Sequence, residues 1–453
     1  MNIVIAGGGK VGEILIKKLS SEGHDLTLID PNLQTLEKSI ERYDIMSYNG
    51  NSASYDVLKQ AGIKEADLLI AAAGSDEINL LTCFTAHNIN PKIRTIARIR
   101  NPEYDTQSYI MRDDFALSMS FNPEKSTANE IRRLLKYPGF LKRDTFAKGR
   151  VEIVELKIDE KSPLCNLPLK DIISVTKCKV LICVVLREGK AIAPDGSFVL
   201  QADDKILVSA PAQNMSILLK SLGIVTHKAR KVLIAGGSTV SYYLATALDK
   251  AGIAVRIIEK DMERCRELAG KLPNATIVHG DASSQNVLES EGISESDALI
   301  TLTGMDELNL VISFFGNVCK VPKIITKLNH LNNNYVLDNL EIGSIVSPKE
   351  IATDNIVRYV RAMSNLSGAA VTVHSIAEGK AEAIEFRVDP ETRHIGKPLK
   401  DIALRRGVLI CCITHQMETE IPAGDSSFAL GDTVIVVVSA GTMIMKLNDI
   451  FEA

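Results

Sequence analysis

The chain repeats itself at an interval of about half its length, and this repeat limits the folds open to it more than any other feature. The opening segment MNIVIAGGGKVG returns in the second half as RKVLIAGGSTVS. At nearly the same spacing, Asp30 matches Glu259, 229 residues away, and Asp67 matches Asp297, 230 residues away. A solenoid would repeat every ~20 to 50 residues, so the much longer period here indicates duplication of a whole pair of domains.

The later parts of each half repeat as well. The segment NPEKSTANEIRRLL from Asn122 matches SPKEIATDNIVRYV from Ser347, and LICVVLREGKAIAPDGSFVL from Leu181 resembles LICCITHQMETEIPAGDSSFAL from Leu409. Each half therefore contains two modules, which differ in their pattern of apolar and polar residues. The expected bounds of the four modules are 1–141, 142–225, 229–366 and 367–453.

The first module of each half alternates apolar, β-branched runs with helical periodicity. Residues 3–6 are typical of a buried strand, and residues 11–19 of an amphipathic helix. This alternation predicts an α/β fold with two Rossmann-like, doubly wound parallel-sheet domains. From Val151 short strands and tight turns predict a small α+β, β-rich domain after each of them. The polar segment 142–150 is expected to be a linker, with a similar break at Ser367-Gly368.

Composition excludes several classes of protein. Hydrophobic residues make up 45% and charged residues 24%, which is typical of a folded globular chain, and the net charge of -4 disfavours nucleic acid as a partner. No apolar run approaches the ~20 residues of a membrane-spanning helix, and the N-terminus has no signal-peptide pattern, so a cytoplasmic location is expected. The eight cysteines form no CxxC pair; they are expected to be mostly small buried residues, and no metal site is expected.

The motif that indicates a ligand is Gly7-x-Gly9-x-x-Gly12, which follows a predicted strand and opens a predicted helix. In such a turn one glycine makes the sharp bend, one lets a pyrophosphate approach the backbone, and one lets the helix pack close to the strand. The N-terminus of the helix offers N–H groups and a positive dipole to phosphate. The motif therefore predicts an adenine-nucleotide site.

Three further positions fall at the same predicted sheet edge. Asp30 ends the second strand, where a carboxylate accepts hydrogen bonds from ribose and repels a 2'-phosphate, so the site should prefer NAD or ATP-type ligands over NADP. The alternative for Asp30 is a helix N-cap before Pro31. Ala73-Gly74 follows the fourth strand. Arg98 ends the fifth strand, where it would either bind a phosphate or lie in solvent.

The second copy of the motif has diverged. It keeps Gly236, but serine replaces the second and third glycines, at Ser238 and Ser241. A side chain at those positions works against both phosphate approach and helix packing, so we expect the second site to bind nucleotide with a different affinity. Lys327 is the best counterpart of Arg98. The candidate residues of the second site are Gly236, Gly237, Ser238, Thr239, Val240, Glu259 and Asp281.

Taken together, the GGGKVG turn, the TLID strand, GNSASYDVLKQAGIKEADLLIAAAGSDEIN, TIARIRNPEY and NPEKSTANEIRRLLKYPGF resemble the peripheral subunit of bacterial Trk potassium-uptake systems, the TrkA-type family. The resemblance covers essentially the whole chain. It implies two RCK (KTN) domains, each followed by a TrkA-C domain. Asn51 departs from the aspartate usual in the family. The nucleotide-binding positions implied in the first half are Gly7, Gly8, Gly9, Lys10, Val11, Gly12, Asp30, Asn51, Ala73, Gly74 and Arg98.

The resemblance also implies a role. The chain would form a homo-oligomer, a dimer or tetramer, on the inner face of the cell membrane and dock on an integral membrane potassium transporter subunit of the TrkH or TrkG type. Bound NAD(H) and/or ATP/ADP would gate that subunit by changing the angle between modules across helix 124–136 and its copy 349–361. Ile131, Leu134 and Leu135 would form either a dimer contact or ordinary core.

The strongest rival hypothesis is an NAD-dependent dehydrogenase that uses the N-terminal Rossmann domain. A catalytic site of that kind needs an acid–base constellation, and the β-rich modules offer none in a motif context. Duplication also favours a binding scaffold over a single active site, so the chain is expected not to be an enzyme. The β-rich modules and the second half contain scattered histidines without a counterpart in the other half, namely His227, His279, His330, His374, His394 and His415.

Overall fold

The computed structural model describes residues 1–104, 112–136, 140–224, 229–329, 342–363, 370–377, 380–416, 418–439, 442 and 444–452. The elements of the first half are β1 (Asn2–Ala6), α1 (Lys10–Ser21), β2 (Asp25–Asp30), α2 (Leu33–Arg42), β3 (Met46–Asn49), α3 (Tyr55–Gln60), β4 (Leu68–Ala71), α4 (Asp76–Ile89), β5 (Arg94–Arg98), β6 (Met119–Phe121), α5 (Pro123–Lys136), β7 (Lys142–Phe146), β8 (Val151–Lys157), α6 (Ile172–Thr176), β9 (Leu181–Arg187), β10 (Lys190–Ile192), β11 (Lys205–Pro211) and α7 (Met215–Ser221).

The second half repeats this order of strands and Rossmann helices, but its described residues form no counterparts of the short helices α6 and α7. Its elements are β12 (Lys231–Ala235), α8 (Thr239–Asp249), β13 (Ala254–Glu259), α9 (Met262–Lys271), β14 (Thr276–His279), α10 (Gln285–Ser290), β15 (Ala298–Thr301), α11 (Asp306–Val318), β16 (Lys323–Lys327), β17 (Ser344–Val346), α12 (Pro348–Met363), β18 (Ala370–Ile376), β19 (Ala381–Arg387), β20 (Val408–His415), β21 (Glu418–Glu420) and β22 (Thr433–Ser439).

Two six-stranded sheets are parallel throughout. Their orders are β3-β2-β1-β4-β5-β6 and β14-β13-β12-β15-β16-β17. Strands such as β1 and β4 are buried along almost their whole length, as expected where helices cover both faces of a parallel sheet. The order reverses between β1 and β4, which is where Rossmann-type sheets bind ligands. The predicted α/β fold with doubly wound sheets is confirmed.

The two remaining sheets are antiparallel and five-stranded, with orders β10-β9-β11-β8-β7 and β18-β19-β22-β20-β21. The predicted linker over residues 142–150 is wrong, because β7 pairs with β8 through a hairpin. Ala147 and Gly149, with φ of 49° and 88°, make the reversal between these strands. Because four of the five residues of β7 are polar, the sequence of this strand lacks the alternation of apolar and polar residues that predicts strands. The break expected at residues 367 and 368 lies outside the described residues.

The chain divides into two compact units that do not follow the repeat. Residues 1–129 and 347–360 form one unit, and the rest of the chain forms the other. The first Rossmann domain is therefore grouped with most of α12, a helix from the second half. Inside this unit Lys18 of α1 forms an ion pair with Asp354 of α12.

The burial of the apolar face of α5 decides whether this face is a dimer contact or part of the core. Ile131, Leu134 and Leu135 are 0%, 2% and 3% exposed, so they are buried within the single chain. The contact between chains proposed for this face is wrong, because these side chains leave almost no surface for a second copy. Arg132 is exposed, and Arg133 pairs with Glu130 at 3.1 Å.

The two antiparallel sheets share one hydrophobic cluster, which includes Phe146, Cys183, Ile376 and Cys411. A polar pair of one buried and one half-buried side chain lies in the same pair of sheets. Asp144 of β7 accepts a hydrogen bond from His374 of β18 at 2.8 Å. The two residues occupy equivalent positions in the repeat, one in each half of the chain.

Several charged groups face this pair. Burial alone would raise the pKa of Asp144, but the Lys142 ammonium, the hydrogen bond from His374 and the Arg133 guanidinium hold it at about 2. Glu130 faces the same group from α5, and its own pKa is raised by burial. The ionised Asp144 is therefore stabilised by folding.

This linkage predicts an acid-sensitive contribution to stability. An aspartate titrates near pH 3.9 in an unfolded chain, so a folded pKa of about 2 corresponds to roughly 2 to 3 kcal/mol. Because the folded pKa is depressed, this stability is fully present above about pH 5 and is lost as the pH falls toward 2. We expect Asp144→Asn to lower the free energy of unfolding at pH 6 and to flatten its fall at acid pH.

The measurement is urea unfolding of the wild type and the variant between pH 2.5 and pH 6. Asp425→Asn is the matched control, since the Asp425 side chain is 86% exposed. Equal acid slopes for Asp144→Asn and the wild type would contradict the assignment.

Candidate functional site

The parallel register brings the predicted residues of the first site to one edge. Ala6 of β1 pairs with Ile29 of β2 and with Ala71 of β4, and Ala71 pairs in turn with Ala97 of β5. The residues that follow these four positions therefore leave the sheet side by side. We call the 7–12 turn, together with Asp30, Ala73, Gly74 and Arg98, the first cradle.

The turn itself depends on its glycines. Gly7 has φ of 106°, and a Cβ there would lie 2.8 Å from backbone atoms of Ala72 and Ala73. A Cβ on Gly12 would lie 2.0 Å from the Gly7 carbonyl oxygen. A Cβ on Gly9, by contrast, would meet nothing within 4 Å. Gly7 and Gly12 are thus required by packing, whereas Gly9 leaves space open at the N-terminus of α1.

Asp30 anchors the turn. Its carboxylate accepts hydrogen bonds from the Gly8 N–H at 2.7 Å and from the Asn32 N–H at 2.8 Å. The N-cap of α2 is Asn32, whose side chain accepts from the Gln34 N–H, so the N-cap alternative for Asp30 is wrong. Asp30 is half-buried beside the turn, where the motif predicts a ribose partner.

Two residues that the sequence analysis missed hold the other side of the cradle. Asn79 of α4 is fully buried; its oxygen accepts from the Ala73 N–H at 2.8 Å, and its amide donates to the Arg98 carbonyl at 2.9 Å. Asp76 accepts from the N–H groups of Arg100 and Asn101, both at 2.8 Å. The segments SDEIN and MDELN repeat both residues, and that repetition was the available signal.

Arg98 lies at the cradle edge in a charged environment. It donates from Nη2 to the Ala73 carbonyl at 2.8 Å, while its Nε is buried without a hydrogen-bond partner. Burial and the nearby Arg100 lower the pKa of Arg98. The solvated alternative for Arg98 is wrong, because the side chain is fixed against the backbone. Its open Nε donor fits an anionic ligand.

Glu124, the second residue of α5, faces these arginines. Burial raises the pKa of its carboxyl group, while the charges of Arg100 and Arg98 lower it. Its Oε2 is buried without a hydrogen-bond partner. The cradle edge therefore carries opposed charges on β5 and α5.

The remaining predicted residues of the first site lie around the same edge. Lys10 and Val11 open α1, with Lys10 exposed and Val11 buried. Gly74 accepts from the Arg100 guanidinium through its carbonyl. Asn51 lies further out, in the turn after β3, where its side chain accepts from the Ala53 N–H at 3.0 Å.

The second copy reproduces much of this framework. Glu259 accepts from the N–H groups of Gly237, at 2.5 Å, and Asp261, at 2.8 Å. Asn309 accepts from the Thr303 N–H at 2.9 Å and donates to the Lys327 carbonyl at 3.0 Å. Lys327 ends β16 as Arg98 ends β5. We call the 236–241 turn, with Glu259, the second cradle.

Side chains of the second copy bond to one another where the first copy has other residues. Lys260 pairs with Asp281 at 2.9 Å, and this hydrogen bond lowers the pKa of Asp281. The corresponding residues of the first half are Pro31 and Asn51. Thr239 and Val240 open α8, with Val240 buried.

The histidines and cysteines make separate local contacts. His394 packs edge-on against Phe451, and His415 bonds to Asp432 at 2.7 Å. Among the described residues, no three His, Cys, Asp or Glu side chains are placed to hold a metal ion. Burial raises the pKa of the Cys83 thiol to about 12. His227 and His330 lie outside the described residues, within which no helix is long and apolar enough to cross a membrane.

Comparison with known families accounts for both kinds of module. Residues 3–116 and 232–348 match the TrkA-N domain, and residues 153–223 and 383–451 match the TrkA-C domain. The chain is 31% identical over 451 residues to a Trk system potassium uptake protein TrkA homolog of Archaeoglobus fulgidus, with all of both chains covered. The chain belongs to the TrkA family. The TrkA of Halomonas elongata is 30% identical, with 100% of this chain and 99% of that protein covered.

Solved structures show the same fold as this TrkA-family chain. The RCK domain of GsuK superposes with a TM-score of 0.61 at 17% identity, covering 97% of this chain and 92% of that one. A GsuK channel bound to NAD superposes with a TM-score of 0.60 at 17% identity, covering 97% and 76%. At this identity the likeness shows the fold of the chain and says nothing of its ligands.

The glycine geometry predicts unequal effects of alanine substitution. Gly7→Ala combines a positive φ with a backbone clash, so it should lower the free energy of unfolding by about 2 kcal/mol or more. Gly62→Ala has φ of 80° but open space, so it should cost about 1 kcal/mol. Gly9→Ala should leave stability unchanged. Thermal and urea unfolding measure all three; a Gly9→Ala loss equal to that of Gly7→Ala would contradict the packing argument.

Proposed function

We propose that this chain is the nucleotide-binding regulatory subunit of a potassium-uptake system, docks on an integral membrane potassium-translocating subunit, and gates it. The observation that carries the proposal is the first cradle, in a chain whose relatives of similar length are named for Trk potassium uptake. The working modules are 1–141, 142–225, 229–366 and 367–453, and the subunit acts as a homo-oligomer on the inner face of the membrane.

The proposed ligand of the first cradle is NAD(H) or an adenine nucleotide such as ATP or ADP. Three observations support the fit. The space at Gly9 is open to a phosphate, the N-terminus of α1 has no side-chain cap, and the buried Nε of Arg98 has no hydrogen-bond partner within the protein. The same fold is known bound to NAD in the GsuK channel. Asp30 would disfavour a 2'-phosphate at the ribose.

The route from ligand to gating is proposed to run through α5. This helix begins with Glu124 facing Arg98 and Arg100 at the cradle and continues into the other compact unit of the chain. A phosphate near Arg98 would compete with Glu124 for the positive charge. A ligand changes an equilibrium only through unequal affinity for two states, and this competition supplies the inequality.

Selectivity at Asp30 tests the ligand. Calorimetric titration of the wild type should show tighter binding of NADH than of NADPH, by roughly tenfold or more. Asp30→Asn keeps an oxygen for the Gly8 N–H but removes the negative charge, so it should reduce the difference between the affinities for NADH and NADPH. Asp25→Asn, at the exposed opposite end of β2, is the control. A wild type that binds no nucleotide, or prefers NADPH, would refute the site.

Gating is tested in proteoliposomes that contain a Trk-type membrane subunit. The wild-type chain should co-purify with that subunit, and added nucleotide should change potassium flux. Glu124→Gln should reduce the nucleotide-dependent difference while nucleotide still binds, because it removes the charge that competes at Arg98. Glu160→Gln, an exposed residue, is the control. Flux that is the same with and without nucleotide would contradict the regulatory role.

A further inference from the structure

The two cradles have the same backbone but differ in what fills them. Gly9 and Ser238 are the N-cap residues of α1 and α8, with φ of -66° in both and ψ of -172° and 171°. A side chain at either position therefore leaves the backbone in the same direction. In the first copy that direction leads into space where nothing lies within 4 Å. This is the space that a dinucleotide-binding turn leaves for pyrophosphate.

In the second copy the Ser238 side chain folds back on the 236–241 turn and forms hydrogen bonds within it. Its Oγ accepts from the Ser241 N–H at 3.3 Å and lies 3.0 Å from the Ser241 hydroxyl. The Ser241 hydroxyl donates to the Gly236 carbonyl at 2.6 Å. One N–H group at the start of α8 is thus satisfied from within the protein, where the first copy has two glycines and no side-chain cap.

A cation lies across the same turn. Arg264 of α9 donates from Nε to the Gly237 carbonyl at 2.7 Å and from Nη1 to Glu267 at 2.6 Å. The corresponding residue of the first copy is Thr35, at the same spacing that relates Asp30 to Glu259. The Arg264 guanidinium therefore already bonds to the backbone of the turn and to Glu267 on its own helix. It is only 26% exposed.

We propose that the second cradle is closed by two of its own side chains, Arg264 and Ser238, the latter held in place by Ser241, so that each chain binds one pyrophosphate-containing nucleotide, at the first cradle. Ser238 is the residue that decides this difference. The proposal rests on nucleotide binding at the first cradle as the chain's proposed function. It assigns the second Rossmann domain a structural role in which no ligand is needed to satisfy the N-terminus of α8.

Reciprocal substitutions test the closure, because the chain contains both forms of the turn. In calorimetric titration with NADH and with ADP, the wild type should bind close to one equivalent per chain. Gly9→Ser should fold normally, since a Cβ there meets no neighbour, but should weaken binding roughly tenfold or more. Gly270→Ser is the matched control, another glycine with open space around its Cβ, and should bind as the wild type does.

The opposite change should open the second cradle. Combining Ser238→Gly with Arg264→Thr in the Gly9→Ser background should restore binding of one equivalent. The loss of a serine N-cap to glycine costs only a few tenths of a kcal/mol, so the variant should fold, which circular dichroism and thermal unfolding would establish.

The outcomes separate the two proposals. Two equivalents per wild-type chain, or full binding by Gly9→Ser, would overturn the closure and leave the first site standing. An opened variant that binds nothing would also overturn it. Binding by the opened variant alone, with none by the wild type, would support the closure and refute the proposed ligand site of the first cradle.

Discussion

The carboxylate at the end of the second strand holds each Rossmann domain's turn in shape. Asp30 and Glu259 both accept one hydrogen bond from the N–H of the turn and one from the N–H two residues after the acid. Charge-assisted bonds of this kind are stronger than neutral ones. They fix the turn between the first strand and first helix, and the positions of the glycines, the helix N-terminus and the nucleotide space follow from that.

The bonds from this carboxylate to the backbone explain how the two copies could diverge. An acid that only contacted ribose would lose its purpose once the turn was blocked, yet Glu259 remains beside Ser238 and Ser241. Its bonds to Gly237 and Asp261 supply a reason that needs no ligand. A carboxylate in this position is therefore weak evidence of nucleotide binding when the glycines beside it have changed.

Much of the architecture could be predicted from the sequence, because periodicity and duplication act at the scale of whole elements. The alternation around 3–6 and 11–19 predicted the parallel sheets, and the repeat predicted four modules. The strand at 142–146 was missed because most of its residues are polar, and its Asp144 bonds to His374 of the second half. Asn79 and Asp76 were missed because a polar residue early in a helix has an ordinary role there, and only the fold places Ala73, Arg98 and Arg100 against them.

The grouping of α12 with the first Rossmann domain has an evolutionary consequence. Ala352 and Ile356 of this helix are buried, and Asp354 pairs with Lys18. A gene split between the repeats would make two proteins, the first lacking a helix that groups with its own Rossmann domain. Once fused, the halves could not easily part, and a second half without a ligand, as proposed above, would still be kept for the helix that it supplies. Duplication followed by such mutual dependence is a route by which a symmetric ancestor becomes an asymmetric chain.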